Sequence, residues 1–153
     1  MTHDPADAAP QPDAAVRALD RLVGTWRITG DATGEITYRW LDGGFFLVQT
    51  GELDLWGHHN RFTEFVGREK PFGGEPSADI KSRTYTSTGD TLDYVYDLTG
   101  GTLTIWGGAR NSDNFYRGTF SPDDTTLTGD WTWPGGGYST VSTRQPDADP
   151  ATS

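Results

Sequence analysis

From Thr25 onward, apolar and polar side chains alternate one by one along the chain. Leu92, Tyr94, Tyr96 and Leu98 share one face, with Thr91, Asp93, Val95 and Asp97 opposite. Ile36, Tyr38 and Trp40 alternate with Glu35, Thr37 and Arg39, and Leu127, Trp131 and Trp133 with Thr126, Thr128, Asp130 and Thr132. A period of two marks strands with one face turned to a core. Strand-like runs cover 25–29, 35–41, 45–56, 61–66, 78–86, 91–98, 102–106, 114–120, 126–132 and 138–144, with turn residues such as Asp42-Gly43-Gly44, Gly100-Gly101 and Gly135-Gly136-Gly137 between them. Gly-Gly pairs supply the positive φ angles that tight hairpins require. The pattern predicts about ten strands in sequential up-and-down order, and such a meander best removes its exposed edges by closing on itself. The expected fold is all-β: a closed antiparallel up-and-down barrel. Arg68 to Ser77, with Pro71 and Pro76, reads as a long loop.

Ahead of the strands the period changes. Val16, Leu19 and Val23 recur at helical spacing, Asp13 is a suitable N-cap, and Gly24 suits the position just past a helix end. A helix of about ten residues cannot stand alone and must pack on the barrel. Residues 1–12 and 146–153 lack apolar groups to bury and are expected to be disordered tails around one domain, 13–145. The 20 glycines and 12% aromatic content fit many short strands and tight turns. Without cysteine, no disulfide or thiolate chemistry is available. The acidic, Ala/Pro-rich start is unlike a signal peptide, and no apolar run reaches the roughly 20 residues that cross a bilayer, so a cytoplasmic protein is expected. The net charge is −10, and Asp4, Asp7, Asp13, Asp147 and Asp149 near the termini supply about half of it. The 12 basic residues form no patch along the sequence, which argues against nucleic acid and anionic membrane as partners.

Gly24-Thr25-Trp26 opens the first strand directly after the helix, and Arg144 ends the last. This arrangement resembles the calycin superfamily of lipocalins, fatty-acid-binding proteins and nitrobindins. There a Gly-x-Trp opens the barrel and an Arg of the final strand stacks across the Trp, tying first strand to last. Leu19 to Trp26 (LDRLVGTW), Trp40 to Gln49 (WLDGGFFLVQ) and Arg117 to Trp131 (RGTFSPDDTTLTGDW) are similar to segments of an uncharacterised bacterial calycin-like family. The resemblance spans roughly 16–144; it implies the fold strongly and hardly constrains the function. Nitrobindins hold haem through a His near the C-terminus. This chain has no His after His59, which weighs against haem, and no cofactor is expected.

The expected inner face is rich in Tyr and Trp, whose polar tips want partners when buried. A solid core would more economically use Leu, Ile and Val; the alternative is a lined cavity, with Tyr38, Trp40, Tyr94, Tyr96, Trp106 and Trp131 as candidate lining residues. Trp106 shares its short strand with Leu103 and Ile105, which claim the opposite face. His58 and His59 follow Trp56-Gly57 at a strand end near a barrel mouth. Either one imidazole acts as acid or base on an enclosed ligand, or both are solvated loop residues. Adjacent residues of an extended chain point opposite ways, and no zinc-ligand spacing is present. Among Glu52, Asp54 and Glu64, one is a candidate inward carboxylate paired with Arg83 or Arg117, the alternative being a solvated outer face, favoured for Asp54. Arg117 is a candidate to hold a ligand carboxylate, as an internal Arg does in fatty-acid carriers; the alternative is an external Arg. Asp93 and Asp97 lie opposite the tyrosines and are expected outside. There is no phosphate-cradling loop before a helix and no nucleophile elbow.

Two functions follow from this reading, beside a third in which the chain is a plain structural barrel with a filled interior. One is a binding module that holds a small, mostly apolar or aromatic molecule. The other is a cofactor-free isomerase, cyclase or dehydratase acting on an enclosed polyketide- or terpenoid-like substrate, with His58, His59 or Glu64 moving a proton. An inward His beside Tyr or Glu favours the enzyme, and an outward pair favours the carrier.

Overall fold

The computed structural model describes residues 9–146, and every expected strand is present in it. They are β1 (Gly24–Gly30), β2 (Ala32–Trp40), β3 (Leu47–Leu55), β4 (His58–Gly67), β5 (Ile80–Thr86), β6 (Thr91–Thr99), β7 (Thr102–Gly107), β8 (Phe115–Phe120), β9 (Thr126–Trp133) and β10 (Gly136–Arg144). Each pairs antiparallel with its chain neighbours, and β10 returns to β1, so the barrel closes and leaves no edge. His58 and His59 belong to β4 itself, which starts three residues earlier than the sequence pattern suggests. The stretch 68–79 carries neither helix nor strand, as its prolines predict. Most of the two expected tails lies outside the described residues; residues 9–12 and 146 have no regular structure. Among the described residues, no helix is long and apolar enough to cross a membrane.

The N-terminal helix is split into α1 (Ala14–Arg17) and a 3-10 turn over Ala18–Leu22. Asp13 caps it, its Oδ1 accepting from the backbone N–H groups of Ala15 and Val16 at 3.0 and 3.2 Å. The guanidinium of Arg68 grips the same carboxylate at 2.6 Å and holds its pKa down at about 2. Val16, Leu19 and Leu22 are buried in the barrel end, so this short helix gains its stability from packing.

Gly24 stands just past the helix end, as its position suggests, and it is also the first residue of β1. Val23, with ψ 132°, ends the helix, and Gly24 opens β1 with φ +127°. A Cβ there would lie 2.9 Å from Arg144 Nη1, so the glycine makes room for the closing arginine. That arginine stands opposite Trp26 in the β1–β10 register, with its guanidinium 4.3 Å from the indole centroid. It donates to the backbone carbonyls of Val23, Arg21 and Asp124. Trp26 Nε1 donates to the Leu22 carbonyl at 2.8 Å, and Arg21 bridges to Asp124 at 2.6 Å. One end of the barrel is thereby plugged and tied; Leu19, Leu22, Trp26, Leu47, Val66 and Leu103 are its most deeply buried members. The other end carries the β1–β2, β3–β4, β5–β6, β7–β8 and β9–β10 connections.

Candidate functional site

Inward-facing residues of the unplugged half surround a cavity of about 510 Å³. A smaller space of about 110 Å³ lies deeper, against Leu22 and Trp26 under the plug; Gln49, Leu53, Trp131 and Tyr138 border both. Three layers follow from mouth to floor.

The mouth is aromatic. Trp56 and Gly57 join β3 to β4, with φ angles of 50° and 79°. Two successive positive φ values are those of the tight hairpin that matches strand twist, a conformation a bulky side chain adopts at a cost. The turn holds Trp56 63% exposed. Its ring meets Trp133 and Tyr138 edge-on at 6.0 and 5.7 Å, and those two rings meet each other at 5.9 Å. Below them Trp131 forms the wall, 5.8 Å from both Tyr94 and Tyr116.

The floor is polar. Register puts Tyr38 beside Gln49 on β2–β3, Gln49 beside Glu64 on β3–β4, and Glu64 beside Thr84 on β4–β5. All have inward parity, so one row of polar groups crosses four strands. Glu64 is 4% exposed. Its Oε1 accepts from Gln49 Nε2 at 2.8 Å and Tyr96 Oη at 2.7 Å, and its Oε2 from Ser82 Oγ at 2.6 Å. Gln49 Nε2 also donates to Tyr38 Oη at 2.7 Å. Among the described residues, no buried side-chain polar atom lacks a partner. Burial pushes the Glu64 pKa up, against the pull of the Ser82, Tyr96 and Thr84 hydrogen bonds. Burial and the neighbouring Glu64 also raise Tyr38 and Tyr96 well above the ordinary phenol value and Tyr94 to about 12. Burial takes Tyr138 to about 12. These tyrosines are hydrogen-bonding groups at neutral pH, not anions.

A measurable pH dependence follows. The folded chain holds the Glu64 proton to higher pH than the unfolded chain, whose carboxyl titrates near 4.5. Glu64 therefore costs nothing below that value, and stability falls as pH rises through it towards the raised folded value. Glu64→Gln mimics the protonated side chain and removes this slope. Urea midpoints should show the variant gaining on the wild type between pH 4 and pH 7; a gap that stays constant would contradict the burial argument.

Tyr38, Tyr94, Tyr96 and Trp131 line these spaces, as their alternation suggests, and of the three acidic candidates it is Glu64 that faces inward. Five other candidates do not. Trp40 has inward parity but sits at the plugged end, where its Nε1 donates to Asp20 at 2.8 Å. Trp106 has the opposite parity: Ile105 faces the cavity, while Trp106 lies outside with the Arg110 guanidinium 4.8 Å from its ring. Arg117 is exposed over Phe115 at 4.9 Å and holds no internal group. His58 and His59 are exposed and line neither space. His59 stands between Asp54 and Glu52 on the outer face, at 2.9 and 3.4 Å. Nor does Glu64 pair with Arg83, which bridges to Asp93 outside at 2.8 Å.

The sequence reading passes over Gln49, Ser82, Tyr116 and Tyr138. The pattern Tyr116-x-Gly118-x-Phe120 on β8 was the available signal for Tyr116; Gln49 and Ser82 needed the cross-strand register. Among the described residues, no three His, Asp or Glu side chains gather as a metal site. No protein-family model and no curated protein matches the chain.

Proposed function

We propose that this barrel binds a small, mostly apolar or aromatic molecule between the Trp56–Trp133–Tyr138 mouth and the Glu64 floor. The observation that carries this reading is the cavity of about 510 Å³, walled by aromatic rings and ending on one buried polar row. Ligand pockets of roughly 300–1,000 Å³ share that chemistry: apolar walls with a few placed polar groups. Kinship with calycin barrels is part of the proposal, supported by Gly24-Thr25-Trp26 after a short helix and by Arg144 stacked on Trp26. The outward His59 and the exposed His58 favour a carrier over an enzyme. A cofactor-free isomerase, cyclase or dehydratase would have to run on Glu64, whose raised pKa is the one observation that favours it.

Flat apolar ligands should quench tryptophan fluorescence saturably, with micromolar dissociation constants, about −8 kcal/mol. Tyr94→Ala and Trp131→Ala should each weaken binding about tenfold or more, the loss of roughly 1.4 kcal/mol of contact. Asp93→Ala, His58→Ala and His59→Ala should leave it unchanged. Absence of saturable quenching across a broad apolar set would remove the binding reading.

A further inference from the structure

The charge around the cavity is one-sided. Among the described residues, no Lys, Arg or His lines either interior space, and Glu64 is the one carboxyl group that does. Gln49, Tyr96 and Ser82 donate to it, Thr84 is a further hydrogen-bond partner, and the carboxyl group still borders the cavity. The rings of Tyr94, Tyr96, Trp131, Trp133 and Tyr138 line the same cavity. Ring faces carry negative potential and attract cations, most strongly where water is excluded. A ligand carboxylate, by contrast, would enter a low-dielectric space beside a like-charged or proton-sharing Glu64, with no base to pair with it. Beyond the mouth, the chain's net charge of −10 adds attraction for cations and repulsion for anions.

Resting on the binding reading above, the geometry points to an organic ammonium as the preferred occupant: an apolar or aromatic body against the ring wall, its N–H groups directed at the Glu64 carboxyl group. The ammonium supplies the counter-charge that burial denies this carboxyl group. It also uses the rings as a cation cage, a role that a neutral ligand leaves idle.

Three probes of one shape and different charge test this: 2-phenylethylamine, 2-phenylethanol and 3-phenylpropanoate, titrated calorimetrically into the full chain at pH 7 and equal ionic strength. The ammonium should bind about tenfold or more tighter than the alcohol, within reach of a desolvated cation–π contact plus an ion pair. The carboxylate should bind weakest. Glu64→Gln should shrink the ammonium's advantage over the alcohol several-fold, leaving what the rings contribute. The wild-type series decides the matter even if that variant does not fold. An alcohol equal to the amine, a carboxylate that binds best, or an ammonium preference that Glu64→Gln leaves undiminished would overturn the proposal. If none of the three binds while a neutral dye such as Nile red does, the ammonium preference alone is lost. If the dye fails as well, the binding reading falls with it.

Discussion

Trp26→Ala should lower folding stability by about 3–5 kcal/mol, the cost of a large aromatic-to-alanine truncation in a core that cannot collapse around the gap. Trp26 is 1% exposed, and three elements meet on it. Its Nε1 holds the last turn of the helix through the Leu22 carbonyl. Its face carries the Arg144 guanidinium from β10, and its ring lies 6.1 Å from Phe120 at the end of β8. Alanine keeps β1 but removes the surface on which plug, first strand and last strand agree. Urea unfolding should show the loss as a lower midpoint with little change in slope. A loss below about 1 kcal/mol, the range of ordinary surface changes, would mean that the Trp–Arg closure is incidental to stability.

Gly34→Ala should be about as damaging, for the opposite reason. Gly34 lies within β2, between Ile28 of β1 and Leu53 of β3. A Cβ there would stand 2.0 Å from the Glu52 carbonyl oxygen and 3.0 Å from Leu53 Cα, and the backbone has φ +154°. The obstacle is main chain in the next strand, so no side-chain rotamer relieves it. Accommodation requires β2 and β3 to part in the middle of a closed sheet. A cost of about 3 kcal/mol or more is expected, at the upper end for overpacking. Gly89→Ala is the control. It also has positive φ, +87°, but nothing lies within 4 Å of its Cβ position, so it should lose only the roughly 1–2 kcal/mol of a left-handed alanine. Equal losses at the two positions would show that conformational strain, not strand proximity, sets the effect.

The barrel was legible because its signals are local. Alternation within β2, β6 and β9, with turn residues between runs, marks strand and face without any knowledge of partners. Gly24-Thr25-Trp26 and Arg144 announce the closure across the whole length of the chain. The candidate site was half legible. Parity placed Tyr38, Tyr94, Tyr96 and Trp131 inside, but parity does not report depth. Trp40 has the same parity as Tyr38, yet it lies at the plugged end, bonded to Asp20. Trp106 shows the rule from the other side: its residue type grouped it with the lining aromatics, while its place next to Ile105 put it on the outer face. The histidines follow a real turn, but β4 begins at His58, so His59 takes the outer face with Asp54. Glu64 stood among three acidic residues on neighbouring strands. What separates it from Glu52 and Asp54 is depth and the convergence of Gln49, Tyr96 and Ser82, which only the register of four strands assembles.

The six tryptophans provide the most direct test of a ligand-holding cavity. Each gives one indole N–H resonance in a nitrogen–proton correlation spectrum, assignable by single Trp→Phe changes. Trp56, Trp131 and Trp133 border the cavity, whereas Trp40 and Trp106 lie outside it. Titration with 2-phenylethylamine or Nile red should shift the first three saturably and leave Trp40 and Trp106 in place. Saturable shifts confined to Trp40 or Trp106, or no saturable shift at Trp131 and Trp133 with either ligand, would contradict it.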